Sequence, residues 1–102
     1  MALKKEYSKN GEICKVTFII PKEVAENFNT ISLVGDFNEW NPDANHFVET
    51  EKNGDYSVTL ELPAGRKYQF RYLADGVHWF NEEEADGEVQ TYVGSYNSVL
   101  KI

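Results

Sequence analysis

Two tryptophans stand where this chain turns. Trp40 lies in Asp36-Phe37-Asn38-Glu39-Trp40-Asn41-Pro42, and Trp79 lies in Asp75-Gly76-Val77-His78-Trp79-Phe80-Asn81. Asn, Asp, Gly and Pro supply turn geometry, and turns run over the surface, so an indole there needs a reason other than core filling. A ligand with a flat apolar face supplies one: the ring covers that face and its N–H serves the rim. The competing reading is a tryptophan packed inside, as sandwich domains often have.

Other chemistry is weakly represented. His46 and His78 have no Cys or carboxylate at metal-ligand spacing, and no nucleophile stands beside a base. Hydrolysis of a glycosidic bond usually takes two carboxylates held across it, and nothing singles out a pair. Glu82, Glu83, Glu84 and Asp86 are a run of like charge, which reads as a solvated loop. The expectation is therefore no catalysis, no metal and no cofactor.

The 102 residues fit one domain, 1–102, with 1–10 as an N-terminal extension and order from about residue 6 onward. A chain of this size buries roughly 60–70% of its unfolded surface, enough for a core without staples. Its 41% hydrophobic and 14% aromatic content is globular rather than disordered. The net charge of −7, with ten Lys and Arg and no run beyond two, argues against nucleic acid and against an anionic membrane surface. A neutral ligand suits an acidic surface better. No apolar run approaches the roughly 18 residues of a membrane span, and no signal peptide follows Met1-Ala2-Leu3-Lys4-Lys5. The single cysteine, Cys14, reads as a buried inert thiol. A cytoplasmic location is expected.

The elements that must carry the tryptophans have period two throughout. Glu12 to Ile20 alternates with Cys14, Val16, Phe18 and Ile20 on one side, and Pro21 ends it. Lys22 to Asn29 has room for one helical turn around Val24 and Phe28. Ile31 to Val34 is a short apolar strand closing at Gly35, followed by a polar loop from Asp36 to Asn45. Asn53-Gly54 predicts a tight hairpin with positive φ at both central residues. Tyr56, Val58, Leu60 and Leu62 line one face of the next strand, and Tyr68, Phe70 and Tyr72 line another after the Pro63-Ala64-Gly65 turn. Asp75-Gly76 predicts a second hairpin returning through Val77 to Phe80. Val89 to Val93 and Ser98 to Ile102 complete the chain. Seven or eight antiparallel strands with frequent turns and no amphipathic helix predict an all-β sandwich.

Val34-Gly35-Asp36-Phe37-Asn38-Glu39-Trp40-Asn41 resembles the signature stretch of the family 48 carbohydrate-binding modules, the early-set immunoglobulin-like domains at the N-termini of isoamylases, pullulanases and branching enzymes. Leu62-Pro63-Ala64-Gly65, Tyr68 to Gly76 and Gly94-Ser95-Tyr96-Asn97-Ser98-Val99 resemble three further stretches of that family, in order and spacing. The likeness covers about residues 12–102 and extends to the glycogen-binding domain of the AMP-activated protein kinase beta subunit. It implies an immunoglobulin-like early-set sandwich that binds α-glucan. The sugar-contacting positions it implies are Trp40, Trp79, Arg71 (lysine in the kinase-type domain), Asn97, Ser95 (a threonine there) and Val93. Val93 stands where the kinase-type domain inserts a leucine through a cyclic glucan, and the shorter valine implies a weaker hold on cyclic dextrins. Trp79 is one residue further from the Asp-Gly turn than in that domain. Glu82-Glu83-Glu84 replaces its Asn-Asp-Pro, which implies a narrower site.

The implied function is non-catalytic binding of glycogen, starch or maltodextrin, alone or as a tether for a glucan-processing enzyme. Hexose faces would stack on the indoles, and rim hydroxyls would meet the Asn97 amide and the Arg71 fork. Two aromatic anchors with a few hydrogen bonds imply roughly micromolar to millimolar affinity. The rival function is a protein-interaction domain that kept the sandwich and binds no sugar. Rival readings also stand for single residues: Arg71 as a solvated outer-face side chain and Asn97 as a cap or turn residue. Tyr92 and Tyr96 could extend the platform, but edge-strand packing is the favoured reading for both.

Overall fold

The structure is a computed structural model that describes residues 1–50, 53–92 and 94–102. Its strands are β1 (Ala2–Tyr7), β2 (Ile13–Ile20), β3 (Ile31–Gly35), β4 (Val48–Glu49), β5 (Tyr56–Pro63), β6 (Lys67–Ala74), β7 (His78–Phe80), β8 (Gly87–Tyr92) and β9 (Ser95–Lys101). A single helical turn, α1 (Lys22–Ala25), follows β2, and a 3-10 turn (Asp36–Asn38) follows β3. The strands form two antiparallel sheets. One runs β1-β2-β5-β4 and the other β3-β6-β9-β8, with β7 also paired to β6. This is an all-β sandwich, as the period-two pattern predicts.

Alternation places the core between the sheets. Cys14, Val16, Phe18 and Ile20 of β2 are fully buried, and Phe70 and Tyr72 of β6 face them from the other layer. Phe18 meets Phe70 edge-on with ring centroids 5.3 Å apart, and Tyr72 meets Phe47 at 5.3 Å. Burying an aromatic side chain of this kind stabilises the fold by about 1.5–3 kcal/mol, so these rings anchor both layers. The thiol of Cys14 is enclosed among them.

Three differences from the expected organisation have local causes. Nine strands are present among the described residues, not seven or eight, because β4 is only two residues long and because Ala2–Tyr7 forms β1 rather than an unstructured extension. That strand pairs along β2 through its backbone and leaves most of its side chains in solvent, so no hydrophobic alternation marks it. The tight two-residue Asn53-Gly54 hairpin does not form, since β4 ends at Glu49 and β5 begins at Tyr56. Glu49 pairs with Tyr56, and only Gly54 of the two central residues has positive φ, at 81°. The Asn53 side chain instead accepts the Asp55 N–H at 3.2 Å, an Asx turn. The Asp75-Gly76 hairpin forms as expected, with φ of 52° and 73°, and Asp75 Oδ1 also accepts the N–H groups of Asn29 and Thr30 at 2.8 and 3.0 Å.

The outer face of the second sheet carries the residues of interest. Tyr68, Phe70 and Tyr72 point inward, so Gln69, Arg71 and Leu73 point outward. Cross-strand partners share a face, which puts Val34 beside Arg71, Trp79 beside Leu73, and Val99 beside Gln69. Val34, Leu73 and Val99 are buried apolar side chains outside the core cluster. They give this outer face apolar ground that an ordinary solvated face lacks.

Candidate functional site

Trp40 reaches this face from a tightly held loop. Gly35 ends β3 where a Cβ would stand 2.7 Å from the Gln69 carbonyl oxygen and 2.8 Å from Phe70 Cβ, so only glycine lets the chain pass so close to β6. The 3-10 turn follows, and Asn38 staples it. Its Oδ1 accepts the Gly35 N–H at 3.0 Å, and its Nδ2 donates to the Leu33 carbonyl at 2.8 Å and to Asn45 Oδ1 at 2.9 Å. Glu39 and Trp40 then both take φ of 57°, a left-handed conformation that costs side-chain-bearing residues roughly 1–2 kcal/mol each. The reversal turns the indole back over the sheet. Asp36 fixes it there: Oδ1 accepts Trp40 Nε1–H at 3.0 Å while Oδ2 accepts the Gln69 N–H at 2.7 Å. The Trp40 N–H donates to the Gly35 carbonyl at 2.9 Å.

Trp79 arrives by a simpler route. The Asp75-Gly76 hairpin returns the chain as β7, whose middle residue opposes Leu73. Phe80, the next residue, opposes Tyr72 and packs on it at 5.3 Å on the inner side. Trp79 therefore faces out, with 49% of its surface exposed.

The two rings line one open cleft of about 270 Å³, together with Arg71, Thr91, Tyr92, Ser95 and Asn97. Five of the six residues implied by the resemblance, Trp40, Trp79, Arg71, Asn97 and Ser95, thus come together; Val93 lies outside the described residues. Arg71 is half-buried rather than freely solvated. Its Nη2 donates to Ser95 Oγ, and its Nε is enclosed without a hydrogen-bond partner. Among the described residues it has no carboxylate partner, so it supplies positive charge to the cleft of an acidic protein. Asn97 neither caps nor turns the chain. β9 begins three residues earlier than the sequence pattern implies, at Ser95, and Asn97 stands within it opposite Val89. Its Nδ2 donates to Gln69 Oε1 at 3.0 Å, which orients its Oδ1 as an acceptor.

Two other groups differ from the favoured sequence reading. Tyr92 is 80% exposed on the cleft rim instead of packed at a sheet edge, and Thr91 beside it also lines the cleft. The acidic run is not a uniformly solvated loop. Glu82 is 3% exposed; it accepts the Tyr72 hydroxyl at 2.8 Å and the Glu84 N–H at 2.8 Å, and its own N–H donates to Ser98 Oγ at 3.0 Å. Burial, reinforced by the Glu82 charge, pushes the Tyr72 phenol well above its ordinary value. Asp86 is half-buried and accepts Lys5 Nζ at 2.7 Å and the Lys101 N–H at 2.8 Å, tying β1 to the second sheet. Its partial burial pushes the carboxyl up, but the Lys101 N–H and the Lys5 ammonium more than offset this and hold it below its ordinary value. None of these acidic groups lines the cleft.

Among the described residues no group of three or more His, Cys, Asp or Glu is placed to hold a metal ion, and no helix is long and apolar enough to cross a membrane. Compared with protein-family models and with curated proteins, the sequence matches none.

Proposed function

We propose that the protein is a non-catalytic module that binds α-glucan, such as glycogen, starch or maltodextrin, in the cleft between Trp40 and Trp79. The observation that carries this reading is that two indoles, one from the turn after β3 and one from β7, share one outward cleft with Arg71, Ser95 and Asn97. The resemblance of residues 12–102 to the family 48 carbohydrate-binding modules, which implies these same positions, is in keeping with it. A glucose unit shows C–H groups on its faces and hydroxyls around its rim. The faces cover the indoles, removing apolar area from water and setting the C–H bonds against the negative ring face. The rim hydroxyls donate to Asn97 Oδ1 and Ser95 Oγ and accept from the Arg71 fork. A Trp40 ring held by Asp36 and a pre-oriented Asn97 amide reduce the ordering cost on the protein side.

Electrophoresis of the native protein through gels with and without glycogen tests the proposal. Retardation by glycogen, lost in Trp40→Ala and Trp79→Ala variants that keep the wild-type circular dichroism, is the expected result. Unretarded migration at every glycogen concentration refutes it and favours the protein-interaction reading. Release of reducing ends from maltoheptaose refutes the non-catalytic part.

A further inference from the structure

Thr91 and Tyr92 are consecutive strand residues, yet both line the cleft. In a regular strand neighbours point to opposite faces. Val89 opposes Asn97 on the outer face, so an unbroken β8 would put Thr91 outward and send Tyr92 to the side of Gln90. The pairing shifts instead. Gln90 opposes Tyr96, and Tyr92, two residues on, opposes Ser95, only one residue back along β9. One extra residue has been inserted into β8. Such a bulge bends the strand and re-aims a side chain, and bulges concentrate at sheet edges and beside functional sites. Here β8 is the sheet edge, and the redirected side chain is a tyrosine with 80% of its surface in solvent. Leaving a large ring so exposed gains nothing for the fold.

The geometry points to Tyr92 as a third stacking ring at the rim of the cleft, one that makes affinity depend on glucan chain length. The inference rests on the glucan reading above. A short oligosaccharide occupies the ground between Trp40 and Trp79, and a longer linear chain continues onto Tyr92. The phenol adds a flat apolar face with a hydroxyl at its tip, which suits a sugar that is partly in water. Its conformational cost is low because only two side-chain torsions are fixed.

Isothermal titration with linear maltooligosaccharides, from maltose to maltooctaose, tests this on the wild type, Tyr92→Ala and Tyr92→Phe. In the wild type, affinity rises with length until the chain spans all three rings. In Tyr92→Ala the gain from short to long chains shrinks by roughly two- to tenfold, the range expected for one aromatic contact. Tyr92→Phe keeps the ring and retains most of that gain, which a general structural defect does not predict. Equal length dependence in Tyr92→Ala and wild type overturns the third-ring role while leaving the two-indole site standing. Failure of the wild type to bind any oligosaccharide at any length overturns the glucan reading and this inference together.

Discussion

Asp36 is the residue on which the cleft's geometry turns, and its removal has a calculable effect. One carboxylate oxygen holds the Trp40 ring and the other accepts the Gln69 N–H of β6, just past the point where its pairing with β3 ends. Hydrogen bonds to a charged group contribute about 1.5–3 kcal/mol each when well enclosed. Asp36 is exposed, so the low end or less applies, and Asp36→Ala should cost about 2 kcal/mol in total. For a domain of this size that is a fall in Tm of roughly 8–16 °C. Asp36→Asn keeps one acceptor but turns a donor toward the other N–H, so it should fall between wild type and alanine, near 1 kcal/mol. Urea unfolding followed by circular dichroism gives the order of stability. Tryptophan fluorescence gives the second readout: a freed Trp40 ring shifts its emission to the red in Asp36→Ala while the fold persists. Glycogen retention should weaken in the same order as stability, because a ring without its anchor must be ordered on binding. Stabilities of both variants within about 0.5 kcal/mol of wild type, with unshifted emission, would show that the loop is held by Asn38 alone and that Asp36 does not set the ledge.

Glu39→Gly relieves one of the two consecutive left-handed residues, at φ 57°, and should raise stability by about 0.5–1 kcal/mol by urea midpoint, glycine's greater freedom when unfolded offsetting part of the gain. Glu82→Ala leaves the buried Tyr72 hydroxyl without its acceptor and should cost about 2–3 kcal/mol, whereas Glu82→Gln keeps an acceptor oxygen and should cost clearly less; thermal melts of the two variants check the order. Asp86 has a depressed carboxyl, so its contribution is fully present above the unfolded carboxylate value near pH 4 and is lost as pH falls through the lower folded value. Asp86→Asn should therefore lose about 0.5–1 kcal/mol at neutral pH and show a flatter acid limb when urea midpoints are compared between about pH 6 and pH 2.

Local alternation was enough to define the core. Cys14, Val16, Phe18 and Ile20, and then Tyr68, Phe70 and Tyr72, face inward as their spacing in the chain demands, because side-chain direction along a strand has period two and needs no knowledge of the partner strand. The Asp75-Gly76 turn was equally local, since its positive φ values follow from residue type. The edge strand β1 left no such mark, because four of its six side chains are exposed and only Leu3 packs against the core.

What the sequence by itself determined, then, was the sandwich, its inward faces and two indoles set in turns. Tertiary structure alone decided that the indoles meet. Trp40 is aimed by a left-handed reversal clamped through Asp36 to β6, and Trp79 by its register against Leu73. It also decided that a bulge brings Tyr92 beside Ser95 and that Glu82 is enclosed against Tyr72. Register, bulges and carboxylate burial depend on which distant strand lies alongside. That choice is made by the packing of the whole chain, and no stretch of neighbouring residues contains it.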